Sequence, residues 1–298
     1  MRDVPRILIV GAAGQVGHEL KRSFADAGEI IACDHHTVDL AVQDQVKDLV
    51  RRHAPDIILN AAAYTAVDRA ESEPELATAV NTLAPRILAQ EALRAKSLLV
   101  HYSTDYVFDG SKAGAWEETD SPRPLNVYGA SKLAGEEAIC AVGGRYLIFR
   151  TSWVYGPRGN NFLLTMLRLG KERDQLKIVD DQFGAPTSSI ELATATRTIV
   201  SGVMAGQFGS ATNWTGLYHM TCSGSASWCG FARAIFACAH TRLNGKVPEV
   251  IPIPSSEYAA RAERPHNSIL STEKLRARFG IGLAPWESAL DQVMGELA

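Results

Sequence analysis

The chain has 298 residues, enough for one large domain or two modest ones at about 150 residues each. Thirty Lys and Arg against 33 Asp and Glu leave a formal charge of −3, so no basic surface invites nucleic acid or anionic lipid. With 46% hydrophobic and 21% charged residues the composition is that of a soluble globular protein, and no apolar run approaches the roughly 18 residues that would span a membrane.

Arg6–Val10 is a short continuous apolar run, as expected of a strand buried on both faces of a parallel sheet. It leads into Gly11-Ala12-Ala13-Gly14-Gln15-Val16-Gly17, then a helical stretch to about Ala27, then the apolar run Ile30–Cys33. Strand, glycine turn, helix and strand in this order form a dinucleotide-binding unit. Gly11 and Gly14 let backbone N–H groups approach a pyrophosphate, the helix N-terminus adds partial positive charge, and Gly17 permits close helix–strand packing. Three glycines at this spacing arise by chance about 0.15 times in such a chain, so the motif draws its weight from its place after the first strand. It gains more from Asp34, 20 positions beyond Gly14 at the end of the second strand. A carboxylate there accepts hydrogen bonds from an adenosine ribose and repels a 2′-phosphate, which favours NADH over NADPH. His35 and His36 read as solvent-facing or, if protonated near a phosphate, as softening that preference, and Asp39 and Leu40 fall beside the adenine.

The pattern then repeats. A helix over Gln43–His53 precedes a strand over Asp56–Asn60, which runs into Ala61-Ala62-Ala63, three small residues suited to the approach of a flat ligand. A long helical stretch follows from about Glu75 to Lys96, kinked or broken at Pro85. The next strand, Ser97–Ser103, ends at Thr104-Asp105, and a loop from Asp109 to Pro124 has the length and composition of a lid or binding segment. The helix that opens near Pro124 and continues to about Val142 carries Tyr128 and Lys132 at i and i+4, on one face. A cation beside a phenol favours the phenolate and lowers its pKa from about 10, which makes a usable general acid or base. Thr104 is placed to hydrogen-bond the same reacting oxygen. A Tyr/Lys pair at fixed spacing is expected about 0.24 times by chance, so here too order along the chain carries the weight.

The last third mixes short strands (146–151, 176–179, 217–220) with helices near 161–169, 191–203 and 227–240. The expectation is an α/β protein: a doubly wound parallel Rossmann sheet over residues 1–150, completed by parts of 176–222, with a smaller, mainly substrate-binding domain over 151–298. Arg264, in Arg264-Pro265-His266-Asn267, is a candidate for the diphosphate or sugar and equally for a structural role, while Trp228, Phe231, Ile235 and Phe236 recur at helical spacing as core. The five cysteines (33, 140, 222, 229, 238) contain no C-x-x-C pair and read as buried thiols of a reducing compartment. With no room for a signal-peptide core before the first strand, the expected location is the cytoplasm.

Taken in order, the glycine turn, Ser103-Thr104-Asp105 and Tyr128-x-x-x-Lys132 resemble the extended short-chain dehydrogenase/reductase superfamily. Further stretches resemble its nucleotide-sugar branch and, within it, the dTDP-4-dehydrorhamnose reductase family. These are Asn60–Asp68, Ala70–Glu75, His101–Phe108, Pro124–Gly129, Phe149–Tyr155, Gly159–Phe162 and Gly184–Thr187. The resemblance is near-continuous from Ile7 to Thr187 and thinner beyond, through Gly216–His219 and Arg264–Ser268.

The resemblance implies reduction of the 4-keto group of dTDP-4-dehydro-β-L-rhamnose with NADPH or NADH. Tyr128 would give the proton, Lys132 hold the nicotinamide ribose, and Thr104 polarise the keto oxygen. It also implies that Asp105 and Trp153 touch the substrate, and that Ala63, Tyr64, Thr65 and Tyr102 line the cofactor site with Gln15 and Val16 of the glycine turn. Some members are dimers joined by a carboxylate-bound magnesium ion. Glu19 matches one such position, but the second falls on Ile190, with Glu191 one helical step of about 100° away. The expectation is therefore a solvated Glu19, with a Mg2+ site at Glu19 as the less favoured alternative, and a monomer or homodimer that binds a nucleotide sugar and neither nucleic acid nor membrane. Nucleotide-sugar dehydratases carry Asp-Glu after the threonine, where Tyr106 follows Asp105 here. A 4-epimerase and a non-catalytic dinucleotide-binding subunit, as in the regulatory β-subunit of methionine adenosyltransferase, are the rival readings. The intact Thr104, Tyr128 and Lys132 favour an enzyme.

Overall fold

A computed structural model of the chain describes residues 4–240, 242–243 and 246–297. In chain order the first half contains β1 (Arg6–Val10), α1 (Gln15–Ser23), β2 (Glu29–Cys33), α2 (Gln43–His53), β3 (Ile57–Asn60), α3 (Val67–Ala70) and α4 (Pro74–Thr78). A π-helical turn (Ala79–Leu83) leads into α5 (Ala84–Ala95), β4 (Leu98–Thr104), α6 (Val127–Val142) and β5 (Arg145–Thr151). The second half contains β6 (Val154–Tyr155), α7 (Phe162–Glu172), β7 (Gln175–Val179), β8 (Phe183–Gly184), β9 (Thr187–Ser188), α8 (Ser189–Met204), α9 (Ala211–Trp214) and β10 (Gly216–His219). It ends with β11 (Ala226–Ser227), α10 (Trp228–Cys238), β12 (Glu249–Ile253), α11 (Glu273–Phe279) and α12 (Trp286–Glu296).

Six parallel strands form the central sheet in the order β10-β5-β4-β3-β1-β2. Helices cover both faces, as an all-parallel sheet requires. Alternation along β1 shows the two layers: Ile7 and Ile9 join the core that contains Leu20, Phe231 and Trp286, while Leu8 and Val10 join Val46, Leu49 and Leu88 on the other face. The chain leaves β1 towards β2 and then returns to β3 on the other side, so strand order reverses between β1 and β3. A crevice opens at such a switch point beyond the strands' carboxyl ends. The first core includes Leu192, Ile199 and Val293 from α8 and α12 as well as β1 and α1.

The long helical stretch is interrupted near Pro85, by the π turn just before it. Proline has no N–H to donate, and the wider turn absorbs the missing bond. The turn has a use: Asn81 Oδ1 accepts from Tyr64 N at 2.8 Å, and its Nδ2 donates to Tyr64 O and Ser131 Oγ at 3.0 Å each. The loop from Asp109 to Pro124, expected as a lid or binding segment, is fastened down. Trp116 is buried, stacks on Phe108 with centroids 4.4 Å apart, and donates from Nε1 to Asn267 O. Asn267 in turn donates to Lys112 O and Gly114 O. Two of the five cysteines depart from expectation: all are free, but Cys140 and Cys238 are exposed.

Candidate active site

A cleft of about 510 Å³ lies at the switch point. Its walls include Gly11, Gly14, Gln15 and Val16 from the glycine turn, Asp34, Asp39 and Leu40 beyond β2, and Ala63 and Thr65 beyond β3. Tyr102, Tyr128 and Lys132 complete the opposite end. Twelve residues read from the sequence as cofactor-binding thus share one hollow. Ala61 and Ala62 line it as their small size suggested, whereas the sequence reading missed Val38, Ser103, Thr151, Val154 and Asn160, which line it too. Their signal was position alone: each follows or ends a parallel strand, or falls in the Gly159–Phe162 stretch.

Two glycines are dictated by the turn. Gly11 has φ +83°, and a Cβ there would lie 2.7 Å from Ala62 N; at Gly17 a Cβ would lie 2.1 Å from Gly11 O. No side chain caps α1 at Gly14, so the first turn of that helix faces the cleft with its amides and partial positive charge. Asn161 Nδ2 donates to Gln15 Oε1 at 2.9 Å and ties the turn to the head of α7. Asp34 Oδ1 accepts from His36 N at 2.9 Å, which orients the carboxylate at the adenosine end. A turn without side chains, a bare helix start and an acceptor at the second strand's end fit a dinucleotide.

At the other end, Asn126 caps α6 by accepting from Gly129 N at 2.8 Å, which places Tyr128 in the first turn and Lys132 one turn on. The expected coupling between these two does not hold. Tyr128 reaches the cleft with part of its ring, yet the enclosing protein pushes its phenol up to about 12; Thr104 lowers it and the Asp105 charge raises it further. Lys132 is 1% exposed and donates from Nζ to Tyr102 O at 2.6 Å, with His101 Nε2 at 3.3 Å. Burial lowers its pKa to about 8 against the favourable charge of Glu136. The phenol is therefore a protonated acid near neutral pH rather than a phenolate made by its neighbour.

Gly17, Tyr64, Thr104, Asp105 and Trp153 lie outside the cleft's lining. Tyr64 turns away: its hydroxyl donates to Glu73 Oε2 at 2.5 Å, so only its backbone, held by Asn81, borders the cofactor loop. Thr104 Oγ1 donates to Asp105 Oδ1 at 3.0 Å and accepts from Tyr106 N. Asp105 is 2% exposed, its Oδ2 has no hydrogen bond, and burial raises its carboxyl to about 7 despite the Ser268 and Thr104 hydroxyls. Trp153 adopts φ +47°, which is rare for a bulky residue, and stacks on Trp228 at 3.5 Å. Arg264 resolves towards its structural role. It grips Asp68 with two bonds, of 2.7 and 3.2 Å, joining the C-terminal loop to the segment after β3.

Glu19 is not solvated. It is 3% exposed and paired with Arg22 at 2.8 Å, and Arg22 also binds Glu296. Among the described residues no group of three or more His, Cys, Asp or Glu side chains is placed to hold a metal ion. Glu191 accepts from Ala284 N instead. Among the described residues no helix is long and apolar enough to cross a membrane.

A Rossmann sheet, a glycine-turn cleft and a Tyr/Lys helix at its far end define a NAD(P)H-dependent oxidoreductase of the short-chain dehydrogenase/reductase type. The chain belongs to the RmlD substrate binding domain family, whose model matches residues 5–298. It is 47% identical to a dTDP-4-dehydrorhamnose reductase of Burkholderia thailandensis, across 98% of this chain and 99% of that one, and 43% identical to one of Escherichia coli K12, across 98% and 97%. Among solved structures it resembles the dTDP-4-dehydrorhamnose reductase of Bacillus anthracis in complex with NADP, with a TM-score of 0.89, 36% identity and 98% and 99% of the two chains covered. A UDP-glucose 4-epimerase from Thermus thermophilus shares the fold, with a TM-score of 0.76 at 21% identity.

Proposed function

We propose that the protein reduces the 4-keto group of dTDP-4-dehydro-β-L-rhamnose to give dTDP-β-L-rhamnose, in the cytoplasm, with NADH favoured over NADPH. The observation that carries the reading is the meeting, in one cleft, of the glycine turn and Asp34 with Tyr128 and Lys132. The full-length likeness to reductases of that name supports the substrate. Bound reduced nicotinamide supplies the hydride.

The chain's own residues do the rest. Gly11, Gly14 and the start of α1 receive the diphosphate, and Asp34 accepts from the adenosine ribose. Tyr128, kept protonated by its surroundings, gives its proton to the oxygen that gains charge as the carbonyl is reduced. Thr104 shares its hydroxyl between Asp105 and that oxygen, and the Trp153–Trp228 stack offers an aromatic wall to the nucleotide sugar.

The test is oxidation of NADH and NADPH followed at about 340 nm with that substrate. Tyr128→Phe is expected to lower kcat by about 10²–10⁴-fold with dinucleotide affinity unchanged. Absence of oxidation with either cofactor, in protein that binds dinucleotide, sinks the substrate assignment.

A further inference from the structure

Behind the cleft a buried chain of polar groups stands apart from the roles assigned above. Asn60 ends β3, and His101 is its register partner on β4. Asn60 Nδ2 lies 2.9 Å from His101 Nδ1, and His101 Nε2 lies 3.3 Å from Lys132 Nζ. Asn60 and His101 are 1% and 0% exposed, so these groups must satisfy one another.

The direction of the bonds is set at Asn60. Its Oδ1 accepts from Ala62 N at 3.3 Å, which turns the NH₂ group towards His101 as a donor to Nδ1. Burial and the neighbouring lysine charge keep the imidazole neutral. A neutral imidazole whose Nδ1 accepts carries its proton on Nε2, and that N–H is aimed at Lys132 Nζ. An ammonium there sets donor against donor, whereas an amine accepts the bond. Tyr102 O works the other way, because it is satisfied by a donating Nζ.

We propose that His101, oriented by Asn60, is a positioning residue that poises Lys132 between amine and ammonium. That the charge of Lys132 shows in turnover rests on the reductase reading; the tautomer does not. Other charged and titratable groups nearby are accounted for. On α6, Glu136 favours the ammonium and is itself matched by Arg150 of β5 through bonds of 2.6 to 3.2 Å. Beyond β4, Asp105 bears on Tyr128.

Two measurements test this. In ¹⁵N-histidine-labelled protein without substrate, the His101 signal, identified by its loss in His101→Gln, should show a proton on Nε2 and a bare Nδ1 over about pH 6–9. A proton on Nδ1, or a charged ring, overturns the proposal whether or not the protein reduces the sugar. Asn60→Ala frees Nδ1 to take the proton and turns Nε2 into an acceptor for the ammonium. The limb of the kcat–pH profile that reports Lys132 should then move up by about one pH unit. A profile superimposable on the wild type overturns the proposal as well.

Discussion

The indole of Trp153 lies directly against the backbone of Gly184, where a Cβ would sit 2.6 Å from Trp153 Cε2. The ring has little room to yield, because it is also stacked within 7° of parallel on Trp228. Gly184→Ala should therefore tilt the aromatic wall without touching the dinucleotide end. The expected result is a rise of about tenfold in KM for the nucleotide sugar, equivalent to about 1.4 kcal/mol, with dinucleotide affinity unchanged. Steady-state kinetics beside a fluorescence titration of NADH checks it, and an unchanged KM removes Trp153 from the substrate's surroundings.

On the proposed reading Asp34 faces the adenosine ribose, where its charge would meet a 2′-phosphate, and its Oδ1 holds the backbone N–H of His36. Asp34→Ser should raise kcat/KM for NADPH relative to NADH by about tenfold or more, since removing one like charge at contact distance is worth about 1–2 kcal/mol. Parallel assays with the two nucleotides decide it. A ratio that stays put means that the carboxylate does not read the ribose.

Asp105 couples the site to stability. Its carboxyl is raised to about 7 in the folded protein from the ordinary 3.8, so between those values the folded state binds more protons than the unfolded one, and stability falls as pH rises. Asp105→Asn removes this dependence. It should unfold at higher urea than the wild type at pH 8, by up to about 4 kcal/mol, with the gap closing as pH approaches 4. Lys132, lowered to about 8, acts in the opposite sense above that pH, which is why the two proteins must be compared at each pH. A constant gap across the range contradicts the assignment.

Much of this was readable before any coordinates. Arg6–Val10 is apolar at every position after the first, so its burial on two faces follows from composition, and Gly11 and Gly17 are where backbone must meet backbone. Tyr128 and Lys132 were found by helical spacing, which fixes a shared face but not where a flexible amine ends. The inward turn of Lys132 ends on Tyr102 O, 30 residues earlier, and beside His101, on a strand whose pairing with Asn60 is a matter of sheet register. Glu19 looked like a surface residue because Arg22, its partner, is itself drawn to Glu296, 274 positions away. Contacts of that span leave no local pattern, and neither does the burial that raises Tyr128.

Arg150 and Glu136 form a buried ion pair, 3% and 2% exposed, that clamps β5 to the helix bearing Tyr128. Arg150 also lies over the Phe108 ring, 5.0 Å from its centroid. Glu136→Ala leaves the guanidinium buried and unmatched, and should cost about 3–5 kcal/mol in urea unfolding. Replacing both residues with apolar ones of similar volume should cost much less. An equal loss in the double variant shows that shape, not charge compensation, governs the joint.

The edge position of β10 has a consequence for how the protein is made. β5 is complete at Thr151, but the strand that covers its outer edge begins at Gly216, about 64 residues later. At ribosomal speeds of about 5–20 residues per second, a nascent chain must hold that edge open for about 3–13 s. During that interval the apolar run Leu147-Ile148-Phe149 presents unpaired amides to whatever passes, so chaperone capture and premature strand pairing should both concentrate on β5.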